Sequence, residues 1–127
     1  MMAMRQYSFN ELAQKIHKNA KEKGFWDREH NVGEKLMLVT SELSEALEAD
    51  RKSKKADLQE YYKQINFGVD KKEAFESSIK DTFEDEIIDA IIRLFDLCGG
   101  MGININEHIE LKMSYNKDRE RLHSKNY

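Results

Sequence analysis

Two pairs of carboxylates, each pair spaced three residues apart, stand in two separate helical stretches of this sequence. The pairs are Glu42 with Glu45 and Glu86 with Asp89. Residues three apart on a helix are neighbours, with about 5–6 Å between their Cβ atoms, so each pair presents its oxygens on one face. Two such helices packed together would form an all-oxygen acidic site. Hard cations such as Mg²⁺ and Mn²⁺ take carboxylate and water ligands, whereas zinc and redox iron sites usually recruit His or Cys. The pattern indicates magnesium and phosphate chemistry.

The same carboxylates allow two other interpretations. They can be plain solvated side chains, with Asp89 and Arg93 forming an i,i+4 ion pair worth only tenths of a kcal/mol. A di-iron bundle would need Glu-x-x-His pairs on two helices, and the sequence has one such pair, Glu120 with His123. A central position for the helix of Glu86 favours a cation site, because carboxylates gathered there repel one another unless a cation neutralises them.

Helical periodicity and capping residues predict four core helices. Capping boxes are expected at Ser8 with Glu11, at Asn31 with Glu34 and at Asn104 with Glu107. The predicted helices run from about residue 9 to 23, 32 to 51, 83 to 98 and 104 to 119. Gly24 is expected to end the first helix, and Gly99, Gly100 and Gly102 to end the third.

The apolar positions of the two carboxylate helices predict how each is buried. On the second helix the expected core stripe is Leu36, Val39, Leu43, Ala46 and Leu47, with the two glutamates at its border. The third helix is apolar over most of its circumference. We therefore expect it to be the central helix of a bundle.

The segment 52–81 has a weaker pattern, with short helices expected at about 56–64 and 71–79. Residues 120–127 form a polar tail. The predicted fold is an all-α, four-helix-bundle-like core with an extra helical insertion between the second and third core helices. The whole chain, 1–127, is expected to be a single domain.

Composition excludes several classes of protein. The chain has 127 residues, no proline, 39% hydrophobic and 35% charged residues, and a net charge of −3, which provides no basic surface for a nucleic-acid polymer. Cys98 is the single cysteine, the first ten residues lack an apolar run of signal-peptide length, and no stretch has the ~20 apolar residues of a membrane span. We expect a cytoplasmic protein without a membrane partner.

Two further features suit a nucleotide. Lys112, Asn116 and Arg119 share one face of the last helix, where they could donate charge-assisted hydrogen bonds to phosphates. A solvated basic face near a helix C-terminus is the simpler explanation, since the helix dipole favours cations there. Trp26, the single tryptophan, offers a flat surface for a nucleobase, although packing in a core is the commoner fate of such a residue.

These segments resemble the all-α nucleoside triphosphate pyrophosphohydrolases of the MazG-like type, which are relatives of the dimeric dUTPases and of phosphoribosyl-ATP pyrophosphohydrolases. The similarity lies in residues 41–46, 84–90 and 112–119, in the order and helical placement of these segments, and in Gly102 to Asn104 before the last helix.

The resemblance implies an activity and a role for each matched residue. Cleavage would fall between the α- and β-phosphates of an NTP or dNTP and give a monophosphate and pyrophosphate. The expected Mg²⁺ ligands, with Mn²⁺ as a substitute, are Glu42, Glu45, Glu86 and Asp89; the expected phosphate contacts are Lys112, Asn116 and Arg119. Glu42 or Glu45 would orient or deprotonate the attacking water. Some relatives have a glutamate where this chain has Ser41, and the interval between the carboxylate pairs is longer than in compact members.

The predicted function is house-cleaning of the nucleotide pool by a homodimer or homotetramer. Self-association follows from the third helix, whose apolar surface is too wide for the few partner helices of one short chain. Three alternatives stay open: a non-catalytic nucleotide sensor, an adaptor that binds a protein through residues 52–81, and a pyrophosphohydrolase of the phosphoribosyl-ATP type.

Overall fold

All the regular secondary structure in the described part of the chain is helical. A computed structural model describes residues 6–29 and 31–119, and these form six helices without a strand. The helices are α1 (Phe9–Glu22), α2 (Val32–Arg51), α3 (Leu58–Asn66), α4 (Lys71–Ser78), α5 (Phe83–Met101) and α6 (Ile105–Asp118). The prediction of an all-α fold is confirmed, and the insertion between α2 and α5 supplies α3 and α4. The predicted polar tail, 120–127, with Glu120 and His123, lies outside the described residues.

Local capping explains where several helices begin. At α1 the backbone N–H of Glu11 donates to Ser8 Oγ, and the N–H of Ser8 donates to Glu11 Oε1, both at 3.1 Å. At α6 the N–H of Glu107 donates to Asn104 Oδ1 at 3.1 Å, and the Asn104 amide donates to Glu107 Oε2 at 3.2 Å. The backbone N–H groups among these donors have no partner within a helix, and the contacts satisfy them. At α6 the Glu107 carboxylate contacts the Asn104 carboxamide and not its backbone N–H, so Asn104 is an N-cap without the reciprocal contact of the predicted capping box.

The end of α5 differs from the prediction. Gly99 and Gly100 lie inside the helix, which continues to Met101 and ends before Gly102 with its positive φ of 68°. A Cβ added to Gly99 would lie 2.6 Å from the carbonyl oxygen of Ala13. Gly99 is therefore needed for the close approach of α1 and not for helix termination.

The chain divides into two compact units. The first consists of residues 1–24 and 95–127, and the second of residues 25–94. In the first unit, Ala13, Leu97 and Ile105 are buried. The carboxamide of Asn10 joins α1 to the start of α6, since its oxygen accepts from the N–H of Ile105 at 2.7 Å. The assignment of the whole chain to one domain stays a prediction.

The second unit contains α2, α3, α4 and the first part of α5, and its insertion is tied to the chain on both sides. The N–H of Asp57 donates to the carbonyl of Ser78 at 2.9 Å, which joins the start of α3 to the end of α4. The N–H of Phe83 donates to the carbonyl of Lys54, also at 2.9 Å. The insertion is thus a packed helical hairpin anchored beside the start of α5.

The buried face of α2 contains Val39 and Ala46 of the predicted core stripe but not its three leucines. Val39, Glu42, Ala46 and Ala49 are buried, whereas Leu36, Leu43 and Leu47 are 46%, 49% and 52% exposed. The buried face is a narrow strip of small side chains that includes one carboxylate. Helical periodicity and hydrophobicity predicted the leucines as core residues, but the described residues leave them about half exposed.

Among the described residues, every helix is too short or too polar to span a membrane.

Candidate metal centre

Glu86 is a buried carboxylate of the second unit. It lies in the first turn of α5 and is only 6% exposed. Among the described residues, none provides a hydrogen-bond donor to its Oε2 atom, which is fully buried. The pKa of Glu86 is raised to about 8, first by burial and then by the adjoining carboxylates of Glu45 and Glu42. Leaving such an oxygen unsatisfied costs about 1–3 kcal/mol, so the site favours either a proton or a cation there.

The predicted carboxylates converge on Glu86. Oxygens of Glu42, Glu86 and Asp89 all lie within 4.8 Å of one another. Glu42 is also buried, and it reaches the group from α2. Glu45 lies one turn further along α2 and is exposed, yet its carboxylate adjoins that of Glu86. The geometry therefore brings together three of the four predicted ligands and leaves the fourth beside them at the surface.

Asp89 shows the same accumulation of negative charge. Its pKa is raised to about 6, first by burial and then by the nearby carboxylates of Asp85 and Glu42. The guanidinium of Arg93 acts in the opposite direction but does not cancel these effects. Like charges this close resist simultaneous ionisation.

Arg93 holds one carboxylate of the group. Its Nε donates to Glu42 Oε1 at 3.0 Å, a contact between α5 and α2. The plain alternative from the sequence paired Arg93 with Asp89 of the same helix, whereas the structure pairs it with Glu42. Asp89 thereby keeps oxygens for another partner.

A second group of carboxylates shares Glu86. Oxygens of Asp81, Asp85 and Glu86 lie within 4.8 Å of one another. Asp81 has a positive φ of 65°, and its N–H donates to Asp85 Oδ2 at 2.9 Å. Glu86 therefore stands between two acidic groups of the same unit.

These residues fit a hard divalent cation. All the donors are carboxylate oxygens, the type of ligand that Mg²⁺ and Mn²⁺ take. The buried Oε2 of Glu86 is an acceptor that the described residues leave unsatisfied, and a cation would satisfy it. The identity of the ion and the roles of Glu42, Glu45, Glu86 and Asp89 as ligands stay predictions.

A shallow cavity of about 820 Å³, open to solvent along most of its extent, adjoins the carboxylates within the second unit. Asp85 and Asp89 contribute to its wall from α5, and Tyr61 contributes from α3. Residues of α4 and of the turn after it complete the wall, among them Lys71, Lys72, Phe75, Glu76 and Lys80. Its volume is in the usual range for small-molecule sites.

The predicted phosphate contacts belong to the first unit. Lys112 and Asn116 are exposed on α6, and Arg119 is its exposed C-terminal cap. The Lys112 ammonium lies 5.1 Å from the centre of the Tyr115 ring, and the Arg119 guanidinium lies 5.8 Å from it. The two cations are thus grouped around Tyr115, and the role of all three predicted contacts towards phosphate stays a prediction.

Trp26 is half-buried in the second unit. The ammonium of Lys35 lies 3.6 Å from the centre of its ring, a cation–π contact that covers one face. Its predicted stacking with a nucleobase is untested.

Sequence reasoning missed Arg93 as the partner of Glu42, Asp81 and Asp85 as a second acidic group, and the lysines of α4. A signal existed for Asp85, since it lies four residues before Asp89 and shares its face of α5. The partner of Arg93 had no such signal, because Glu42 is 51 residues away along the chain.

The chain matches no protein-family model, and comparisons with curated proteins and with solved structures likewise find no match.

Proposed function

We propose that this protein is a Mg²⁺-dependent nucleotide pyrophosphohydrolase of the MazG-like type, which cleaves an NTP or dNTP to its monophosphate and pyrophosphate in nucleotide house-cleaning. The observation that carries the proposal is the buried, unsatisfied Glu86 Oε2, surrounded by the carboxylates of Glu42 and Asp89. Removing its ionised form from water is unfavourable unless a cation compensates for the lost hydration.

The exposure of each carboxylate indicates its role in the proposed reaction. Glu86 and Glu42 are buried and Asp89 is half-buried, so these three would hold the ion, with Arg93 fixing the orientation of Glu42. Bound Mg²⁺ supplies polarisation of phosphoryl oxygens and a lower pKa for a coordinated water. Glu45 is exposed and adjoins Glu86, so it reaches both the site and bulk solvent.

Glu45 is therefore the better candidate for general base. It would accept one proton from the attacking water while the water oxygen forms a bond to one of the two phosphorus atoms that the α–β bridging oxygen joins. The bridging oxygen between the α- and β-phosphates then leaves with the bonding electrons. Glu45 returns its proton to solvent, so the carboxylate is restored for the next cycle.

The test is the release of pyrophosphate, as against orthophosphate, from a panel of common and modified NTPs and dNTPs together with phosphoribosyl-ATP. We expect Mg²⁺-dependent pyrophosphate release that falls more than about 100-fold in Glu86→Gln, since loss of a ligand should cost more than the 10- to 100-fold typical for a residue that only orients a ligand. Glu48→Gln is the matched control, because Glu48 is an exposed glutamate on α2 outside the site. Its rate should equal that of the wild type.

Release of pyrophosphate without Mg²⁺, or equal rates in both variants, would contradict the proposed site. If no nucleotide is cleaved by folded, metal-loaded protein, the hydrolase is excluded and a sensor or adaptor becomes the better interpretation. The substrate that is cleaved fastest would separate pool house-cleaning from a role of the phosphoribosyl-ATP type.

Self-association of the protein is also proposed, on the basis of the exposed apolar residues of the second unit. Leu36, Leu43 and Leu47 form a stripe on α2, and Ile88 and Ile92 of α5 are 49% and 42% exposed. A second copy of the chain would cover these side chains, which water otherwise surrounds at a cost of about 25 cal/mol per Å² of apolar surface.

Replacing Leu47 with Lys is expected to shift the protein to a smaller species in light scattering coupled to size exclusion. The added charge would have to be buried in the interface, which is unfavourable. Leu58→Lys is the matched control, since Leu58 is 60% exposed on α3 and outside the stripe. A wild-type protein that is monomeric at micromolar concentration would disprove the association.

A further inference from the structure

The cavity beside the candidate metal centre has features that the carboxylates do not explain. Three lysines line it, Lys71, Lys72 and Lys80, together with the aromatic rings of Tyr61 and Phe75. All belong to the insertion between α2 and α5 or to the turn after α4. The insertion thus brings cations and aromatic surface to a cavity that also contains Asp85 and Asp89.

Two of the lysines lie at positions where a cation does not stabilise the helix. Lys71 and Lys72 are the first two residues of α4. The positive end of the helix dipole is at the N-terminus, where acidic side chains are favoured and cations are not. Helix stability therefore provides no reason for lysines at these positions, whereas an anion in the cavity would be attracted by both ammonium groups.

Lys80 is only weakly engaged. Its ammonium lies 4.0 Å from Glu76 Oε2, and both side chains are about half exposed. An exposed i,i+4 pair of this kind contributes little and is easily exchanged for a better partner. A phosphate oxygen would provide a stronger, charge-assisted contact.

The charge of the cavity wall indicates that metal ions bind before or together with the phosphate chain. Three lysines face five carboxylates in the lining, namely Asp70, Glu76, Asp81, Asp85 and Asp89. With every group ionised the wall is negative, so it would repel a free polyphosphate. Divalent cations on the carboxylates reverse that balance, and the lysines can then hold a metal-complexed phosphate chain.

The aromatic residues of the wall suit the base of a nucleotide. Phe75 is 39% exposed and Tyr61 is half-buried in the same wall. Exposed rings of this kind are platforms on which a flat nucleobase can stack. A cavity of about 820 Å³ has room for a nucleotide.

We propose that the cavity between the insertion and α5 is the site for the metal-complexed phosphate chain and base of the nucleotide, with Lys71, Lys72 and Lys80 as phosphate contacts and Phe75 as a stacking surface. This inference rests on the function proposed above and extends it, since it assigns substrate binding to the insertion. All of these contacts belong to the second unit.

The experiment is calorimetric titration of the full chain with two probes in Mg²⁺: a nucleoside triphosphate with a non-hydrolysable α,β-methylene link, and inorganic tripolyphosphate. We expect the double variant Lys71→Gln, Lys72→Gln to bind both probes about 10- to 100-fold more weakly, since charged hydrogen bonds are lost. Phe75→Leu should weaken the analogue several-fold and leave tripolyphosphate unchanged. Binding of Mg²⁺ alone should stay the same in both.

Lys63→Gln is the matched control, because Lys63 is on α3 but does not line this cavity. It should bind both probes as the wild type does. Wild-type affinity in the double variant, or tight binding of tripolyphosphate in EDTA, would overturn the assignment. Helical circular dichroism and the melting temperature of each variant show that the fold is retained.

The outcomes separate this inference from the hydrolase itself. Pyrophosphate release with an unchanged KM in the double variant would leave the hydrolase standing and remove the cavity as its substrate site. Weakened binding in the double variant without cleavage of any nucleotide would leave the cavity as a nucleotide site and remove the hydrolase.

Discussion

Glu86→Gln is expected to stabilise the metal-free protein at alkaline pH while it removes the stabilisation by Mg²⁺. Burial is the first cause that raises the pKa of Glu86, to about 8 from an ordinary value of 4.5. A group whose pKa is raised by folding stabilises the fold when protonated and loses this contribution as the pH rises from its unfolded pKa towards its folded one. Glutamine keeps the shape and a donor but cannot ionise.

The difference between the two proteins should therefore depend on pH. At pH 5 the metal-free wild type and Glu86→Gln should melt at nearly the same temperature. Between pH 5 and pH 8 the wild type should lose stability relative to the variant, and by pH 8 to 9 the variant should be more stable by about 2 kcal/mol, roughly 5–10 °C in melting temperature. Calorimetric melting in EDTA across this range measures the effect.

In Mg²⁺ the wild type should be more stable than Glu86→Gln. A ligand at 100 times its Kd stabilises the native state by about 2.7 kcal/mol. We expect that gain in the wild type and a much smaller one in Glu86→Gln. Glu48→Gln should follow the wild type in both conditions, because Glu48 is exposed and paired with Lys52 at 3.4 Å. A wild type whose metal-free stability does not fall between pH 5 and pH 8 would contradict the buried, unsatisfied carboxylate.

The positions of the helices follow from local chemistry, which explains why the sequence predicted most of them. Ser8 and Asn104 cap their helices through contacts that span three residues, so spacing alone identifies them. The end of α5 was predicted wrongly because Gly99 has a tertiary role. The carbonyl of Ala13 approaches it from α1, and no pattern within 83–102 contains that information.

Some features of the acidic site could be predicted from helical spacing, and others depend on tertiary packing. Helical spacing placed Glu86 and Asp89 on one face of α5, and it placed Glu42 and Glu45 together on α2. The unequal burial of Glu42 and Glu45 depends on which face of α2 is covered. The leucines of that helix suggested a face shifted from the buried one, since hydrophobicity does not say which apolar side chains the neighbouring helices cover.

The insertion shows what periodicity cannot provide. Its two short helices were predicted approximately, but no pattern in the sequence indicated the cavity that they form with α5. Lys71 and Lys80 are nine positions apart, at the start of α4 and in the turn after it, and they join one wall only through the packing of the hairpin. Binding residues of this kind depend on tertiary structure, and a motif search has no means to detect them.

Arg93→Gln is expected to destabilise the metal-free protein, and Mg²⁺ should restore part of the loss. Arg93 Nε lies 3.0 Å from Glu42 Oε1, and the Glu42 side chain is only 11% exposed. Removing one partner of a buried pair leaves an uncompensated charge, which costs about 3–5 kcal/mol in full burial. Because the Arg93 side chain is 34% exposed, we expect about 2 kcal/mol at pH 7.5.

The effect of Mg²⁺ follows from the carboxylate that the two cations share. Arg93 also lowers the pKa of Asp89, so its removal leaves the acidic site with more uncompensated negative charge when no metal is bound. A bound Mg²⁺ would neutralise Glu42 in place of the guanidinium, and the loss measured by chemical denaturation should shrink at saturating metal. The variant should therefore gain more stability from Mg²⁺ than the wild type does.

Arg51→Gln is the matched control for this experiment. Arg51 lies 3.9 Å from Glu48 on the exposed side of α2, and such pairs contribute at most about 1 kcal/mol. Its small loss should be the same with and without Mg²⁺. An equal loss for Arg93→Gln in both conditions would mean that Glu42 does not contact the metal. Arg93 would then be a purely structural link between α2 and α5, and the ion would have to be held by the carboxylates of α5 and by Glu45.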